Sequence, residues 1–351
     1  MALRLGVWAP VWGTFLVQQE PPEAVREATF EHNLRYIQRA EELGFASTLL
    51  LDRSLNSIKG PGAPILEAWV TAAALAPLTR RIELIVAARS AYRHPALAAQ
   101  MGANIDRISG GRFAINIVSG WWQHEHDMAG IPFPAHDRRY DISAEAMEVL
   151  RRFWTEDHFD FDGEFFRIRD GVCAPKPIRR PWPTFYFGGE SQAAVRLAAR
   201  AADVFLFNGR PLEDALALIG AVREEAAALG RSLGFGMSTF AICRETDAAA
   251  RREHERLRGL LGPPAVITGV DRDARHRKTS VQADRVGTNG GTAADLVGSP
   301  ATLAERILEF HRAGVDLFLF QFHPMMEEME RFAREVMPLL PLGERAGGRA
   351  G

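Results

Sequence analysis

Residues 82–88 read IELIVAA and residues 316–320 read DLFLF. Both runs are apolar almost throughout and too short to span a membrane. A strand with one wet face alternates polar and apolar residues, whereas runs like these are buried on both faces, as in a parallel sheet. Outward from them the same signal recurs at 3–8, 47–51, 113–118, 184–187, 204–207 and 234–243, with the outer two runs extending to 82–88 and 315–321. Between these candidate strands lie helical stretches. Residues 27–43 repeat Phe30, Leu34, Ile37, Ala40 and Leu43 on one stripe. Ser299-Pro300 reads as an N-cap followed by proline at the first helical position, with Leu303, Ile307 and Phe310 facing inward. Eight strand–helix units in this length predict an α/β fold, a (β/α)8 TIM barrel. A doubly wound open sheet is the alternative.

The 351 residues are 47% hydrophobic and 25% charged, enough for a sizeable core. We expect one domain over 1–342 and a disordered tail, GERAGGRAG, at 343–351. A net charge of −2 gives no basic surface for nucleic acid. The N-terminus MALRLGVWAP lacks a basic region before a long apolar run, so no signal peptide is expected, and no apolar run reaches membrane-spanning length. Cys173 and Cys243 form no disulfide framework and fit a reducing cytoplasm. Two insertions break the rhythm. Residues 157–183 read as a hairpin, DHFDFDGEFFRIRD, and a proline-rich connection. Residues 262–298 are polar and glycine-bearing without a steady period, which predicts a long loop, placed as a mobile lid before strand eight.

Barrel ligands sit at the C-terminal ends of strands. Strand four empties into SGWWQHEHDMAG, strand five into GGES, strand six into Asn208-Gly209-Arg210 and strand eight into Gln321-Phe322-His323. Gly188-Gly189 lets the backbone approach a ligand closely, and Ser191 opens a helix whose free N–H groups favour an anion, so this is the candidate phosphate cradle. Arg139 and Tyr140 offer a guanidinium and a phenol to the same charge; an exposed first helical turn is the bland reading of that pair. His124-Glu125-His126-Asp127 invites a metal, but no other strand end supplies a second set of ligands, so none is assigned. Glu125 reads as an acceptor for a ligand N–H or as a surface carboxylate. His323 is a candidate proton donor or a structural strand cap. Trp12 and Trp121 are candidate walls of an apolar pocket, and Cys243 is a core residue. There is no nucleophile elbow, phosphate-binding Walker loop or usable Cys/His pair.

NIVSGWWQHEHDMAG, HDRRY, FYFGGES and the closing PATLAERILEFHRAGVDLFLFQF resemble the bacterial luciferase-like superfamily. Within it they resemble the two-component reduced-flavin monooxygenases of the dimethylsulfone and alkanesulfonate type. The resemblance implies a barrel holding FMN, as FMNH2, at its C-terminal mouth. Asn116 and Glu125 would meet the ring or ribityl chain, Leu51 and Asp52 would lie near the ring, and Arg139, Tyr140, Gly189 and Ser191 would hold the phosphate. It implies O2 as co-substrate, a flavin peroxide as oxidant, and C–S cleavage of a small organosulfur compound. It also implies flavin supply by a separate NAD(P)H:flavin reductase and assembly as a homodimer or homotetramer. His323, Asn208 and Arg210 are the catalytic candidates; Trp12, Trp121, Ser238 and Phe240 are the substrate-pocket candidates. The alkanesulfonate enzymes carry Arg and His where this chain has Ser238 and Phe240, a lid arginine near Asn289 and a tryptophan at Asn208. A neutral sulfone therefore fits better than a sulfonate, since a buried anion needs charged partners, although Arg210 or Arg89 could supply one charge. A deazaflavin (F420)-dependent oxidoreductase of the same superfamily and a non-catalytic flavin-binding protein are the alternatives.

Overall fold

The run at 82–88 becomes strand β3, Glu83–Arg89, hydrogen-bonded in parallel to β2, Ser47–Leu50, on one side and β4, Phe113–Val118, on the other. The computed structural model describes residues 2–16, 28–260 and 286–342. The remaining barrel strands are β1, Arg4–Trp8; β5, Phe185–Gly188; β6, Val204–Asn208; β7, Gly234–Phe240; and β8, Leu317–Gln321. All eight pair in parallel and in sequence order, and β8 closes on β1 through Leu5↔Phe318 and Val7↔Phe320. This is the expected closed barrel rather than an open sheet. The expected tail, 343–351, lies outside the described residues.

The helices cover the outside. α1, Phe30–Leu43, starts at Thr29, whose hydroxyl accepts from His32 N, and ends at Gly44 in the left-handed region. It buries Asn33, Tyr36, Ile37 and Ala40, one residue round from the expected stripe, leaving Phe30 and Leu34 half-buried. α2, Ala68–Leu75, and α3, Pro95–Ser109, lie side by side. α4, Gln123–Ala129, and α5, His136–Thr155, follow β4. α6, Gln192–Ala201, and α7, Leu212–Ala228, follow β5 and β6. α8 is Asp247–Gly259; α9, Pro300–Ala313, starts at Ser299 as read, with Leu303, Ile307 and Phe310 buried; α10 is Met325–Glu335. The hairpin is present as antiparallel strands Phe159–Asp162 and Arg167–Gly171.

Alternate residues point into the barrel. At its N-terminal end Glu83 accepts from Arg4 and from the Tyr186 hydroxyl, and pairs with Arg179 at 2.9 Å. Its waist is filled by side chains, and a Cβ on Gly236 would lie 2.5 Å from Leu206 Cδ2. That plug leaves the opposite mouth as the open end.

The two departures from expectation share one cause. The seventh strand was expected over 234–243, but the barrel strand stops at Phe240. Ile242–Cys243 turns away and pairs with Val297–Gly298. The returning segment 286–298, expected to be part of a mobile loop, is folded: Thr288 N and Oγ donate to Gln321 Oε1 at 3.0 and 3.1 Å, and Gly291–Ala294 forms a 3-10 turn. A continuous apolar run does not reveal a change of partner, and a segment held by hydrogen bonds has no apolar period to read. The rest of the expected lid, 262–285, lies outside the described residues.

Candidate active site at the barrel mouth

Where β-strands end, one cavity opens. Its wall includes Trp8, Leu51, Asp52, Arg53, Arg89, Asn116, Trp121, Tyr140, Gly189, Glu190, Asn208, Ser238 and Asn289. Seven strand ends and the returning segment therefore meet at one hollow, as barrel enzymes require.

On the β5 side, Gly188 and Gly189 leave the wall bare. A Cβ on Gly189 would come within 2.8 Å of Ala194 Cβ and 3.8 Å of the Tyr140 hydroxyl. Ser191 caps α6 by accepting from Ala194 N, and Tyr140 is hydrogen-bonded to Ser191. Burial raises the Tyr140 phenol above its usual range, against the pull of Ser191 and Arg139, so it stays a neutral donor at physiological pH. Arg139 lies just behind, buried, with its guanidinium over the Phe133 ring and bonded to the Pro134 carbonyl. The preceding Arg138 is the exposed member of the pair and bonds Glu164. On β4, Asn116 is 5% exposed and its Oδ1 has no partner, a buried acceptor facing the cavity.

The β2–β3 side carries charge. Asp52 accepts from Arg89 N and Nη2 at 3.0 and 3.2 Å. Glu125, 70 residues beyond Leu55, reaches back: Oε1 accepts from Ser54 N and Leu55 N, and Oε2 from Arg53 Nη1 at 2.9 Å. Burial alone would raise the Glu125 carboxyl, but Arg53 and Arg89 hold it below the ordinary range. Arg53 lies 4.4 Å over the Trp121 ring and Arg89 3.8 Å over Tyr92.

Several expected residues sit elsewhere. Glu125 is neither a surface carboxylate nor part of the cavity lining; it is spent on the ion cluster behind it. It lies on α4, where residues two apart point to opposite sides, so His124 and His126 cannot face one ion. Among the described residues no group of three His, Cys, Asp or Glu side chains could hold a metal. Trp12 is buried in the core, off the lining; Trp8, whose indole donates to Ser238 Oγ at 3.1 Å, takes the wall position because alternate residues of β1 face inward. Phe240 is also off the lining: it stands two residues beyond Ser238 at the very end of β7 and packs against Gly287. Arg210 pairs with Glu190, and that carboxylate lines the cavity in its place. His323 is buried and stands outside the lining. Leu51, Asp52, Asn116, Trp121, Tyr140, Gly189, Asn208 and Ser238 do line it, and Ser191 borders it through Tyr140. The sequence reading did not single out Trp8 or Arg53. The signal was there: both stand at the C-terminal ends of apolar strands.

Known proteins share this design. The EDTA monooxygenase EmoA from Chelativorans sp. BNC1 superposes with a TM-score of 0.79 at 17% identity, over 99% of this chain and 96% of that one. An F420-dependent secondary alcohol dehydrogenase bound to an F420–acetone adduct gives 0.73 at 19% identity, over 97% and 99%. These two show the fold alone. In sequence, the chain is 35% identical to the FMNH2-dependent dimethylsulfone monooxygenase of Pseudomonas putida, across 96% of this chain and 95% of the relative. The family model described as luciferase-like monooxygenase matches residues 11–317. A barrel closed in this order, with this mouth and that match, belongs to the luciferase-like monooxygenase family.

Proposed function

We propose that the chain is an FMNH2- and O2-dependent monooxygenase of a small organosulfur compound, cleaving a C–S bond. The observation that carries the flavin is the cavity: one wall offers an unpartnered buried acceptor at Asn116, and the next offers hydroxyl donors and a helix N-terminus around two glycines. The organosulfur substrate rests on likeness to the dimethylsulfone enzyme along the whole chain. The residues fit the cofactor. Tyr140, Ser191 and the free N–H groups opening α6 would hold the phosphate, with Arg139 adding charge from behind. The backbone of Gly188 and Gly189 would lie against the ribityl chain, and Asn116 Oδ1 would accept from a ring N–H. Bound there, reduced FMN supplies the electrons that activate dioxygen. Trp8, Trp121 and Leu206 exclude water from that space. Asn208 and Ser238 would orient the substrate, and His323, outside the wall, is at most a proton relay.

Reduced flavin would come from a separate NAD(P)H:flavin reductase, in the cytoplasm. Self-association fits the outer face of α2 and α3, where Val70, Leu97 and Ile108 are 68%, 59% and 53% exposed. Leu97 and Ile108 are three helical turns apart on one stripe. Sedimentation of a Leu97→Asp/Ile108→Asp variant should show a smaller species than the parent. The decisive test is titration with FMNH2 under argon, then oxygen in the presence of dimethyl sulfone. Saturable binding and sulfinate release coupled to oxygen uptake are expected. Absence of binding, or hydride transfer without oxygen uptake, overturns the reading.

A further inference from the structure

We propose that Arg53 selects the organic guest of the cavity, donating hydrogen bonds to the oxygens of a neutral oxidised-sulfur group, and that Glu125 sets this preference by cancelling its charge. The proposal rests on the organosulfur reading above and names the residue that would enforce it.

Arg53 lines the cavity, yet among the described residues its only hydrogen bond is the one from Nη1 to Glu125. A guanidinium has five N–H donors in a fixed fork. Trp121 covers one flat face, and Glu125 takes one edge, so the group is held in place with donors to spare. Arg89 beside it repeats the pattern: Nε has no hydrogen-bond partner, and Nη1 lies 3.0 Å from Glu125 Oε2 without the alignment of a hydrogen bond. The carboxylates have no such surplus. Glu125 accepts from two backbone N–H groups and Arg53, and Asp52 from Arg89 and its backbone. Arg93, 3.8 Å from Asp52, is matched by Glu67 at 2.8 Å. Glu190, on the far wall, is matched by Arg210.

The wall therefore offers donors but no net charge: two guanidiniums stand against two carboxylates. A sulfonate would bring an uncompensated negative charge into this buried, neutral wall and lose its hydration. A sulfone brings two strong acceptors and no charge, and fills donors that are otherwise unspent. Arg53 lies beyond β2, three strands round the barrel from the phosphate cradle on β5. A role in gripping the phosphate is thus ruled out; a flavin carbonyl is the rival acceptor, and the test separates it.

The test uses the full chain with a flavin reductase and two probes, dimethyl sulfone and methanesulfonate. Arg53→Gln should raise KM for the sulfone about tenfold or more, the scale of a lost hydrogen bond to a charged donor, while FMNH2 affinity under argon stays within about twofold. Glu125→Gln leaves the wall with one surplus positive charge and should shift kcat/KM about tenfold toward the sulfonate. A shift in that ratio separates a role in preference from a merely structural one. Arg53→Gln that weakens FMNH2 binding and spares the sulfone KM overturns the proposal in favour of a flavin contact. A folded Glu125→Gln protein with an unchanged ratio also overturns it. If Glu125→Gln does not fold, Arg53→Gln decides alone. A parent protein that binds FMNH2 but oxidises neither probe fails the organosulfur reading itself, and the proposal with it.

Discussion

Replacing Gly290 by alanine tests whether the returning segment is part of the site. Gly290 has φ 87°, and a Cβ there would lie 2.8 Å from Gly209 Cα and closer still to that residue's nitrogen and carbonyl oxygen. The backbone conformation alone costs an alanine about 1 kcal/mol. The clash is with backbone, so no side chain can swing aside and the turn must lift. Lifting it breaks the Gly209 N to Asn289 O bond and the three bonds joining Thr288 to Gln321. At about 1 kcal/mol each these cap the loss near 4 kcal/mol. An expected loss of about 3 kcal/mol, spread over the unfolding entropy of 351 residues, lowers Tm by roughly 4 °C. Asn289 would leave the wall with the turn, so KM for the organic substrate and uncoupled peroxide should both rise, while FMNH2 binding, held on β5 and α6, should not change. Gly230→Ala is the control: φ is 66° but nothing lies within 4 Å of its Cβ, so only the conformational cost applies. Calorimetry with peroxide assay decides the matter. Equal stability of the two variants and unaltered coupling in Gly290→Ala would refute the reasoning.

Tyr140→Phe and Ser191→Ala should each weaken FMNH2 binding by about 1–2 kcal/mol in anaerobic titration; unchanged affinity in both removes the phosphate assignment. Ser238→Arg puts a positive charge beside Trp8 at the wall and should raise sulfonate turnover relative to sulfone in competition assays. A parent that already prefers sulfonates contradicts the argument. Glu125 and Glu83 titrate below the ordinary 4.5: burial alone would raise them, but Arg53 with Arg89, and Arg4 with Arg179, more than offset it. Each depressed carboxylate adds stability that is full above its unfolded value and is lost as pH falls from about 4.5 through the folded value. Melting curves from pH 7 to 3 should therefore drop less steeply on acidification for Glu125→Gln than for the parent. Parallel curves would show that Glu125 contributes no such linkage.

The parallel sheet was legible because runs such as IELIVAA and DLFLF are buried on both faces, and the count of eight strand–helix units pointed from there to a barrel. The phosphate side was legible for a local reason: Gly188 to Ser191 are adjacent, and glycine, cap and helix follow one another in the chain. The charged side was not. Glu125 earns its place from Ser54, Leu55, Arg53 and Arg89, residues far away in sequence, and nothing near it announces them. The pocket tryptophans were misplaced because Trp8 is the last residue of β1 and faces the mouth, whereas Trp12 lies in the turn that follows and packs into the core. The end of β7 was hidden because Phe240 and Ile242 are equally apolar, although one stays in the barrel and the other leaves it.

That departure has a practical consequence. Ile242–Cys243 and Val297–Gly298 run side by side, so the excursion from β7 leaves and re-enters the scaffold at one doorway. Changes to the outer surface of α8, which lies between those two points, leave barrel register and the bonds from Thr288 and Asn289 to Gln321 and Gly209 in place. The doorway makes α8 a replaceable cartridge, open to redesign without rebuilding the housing.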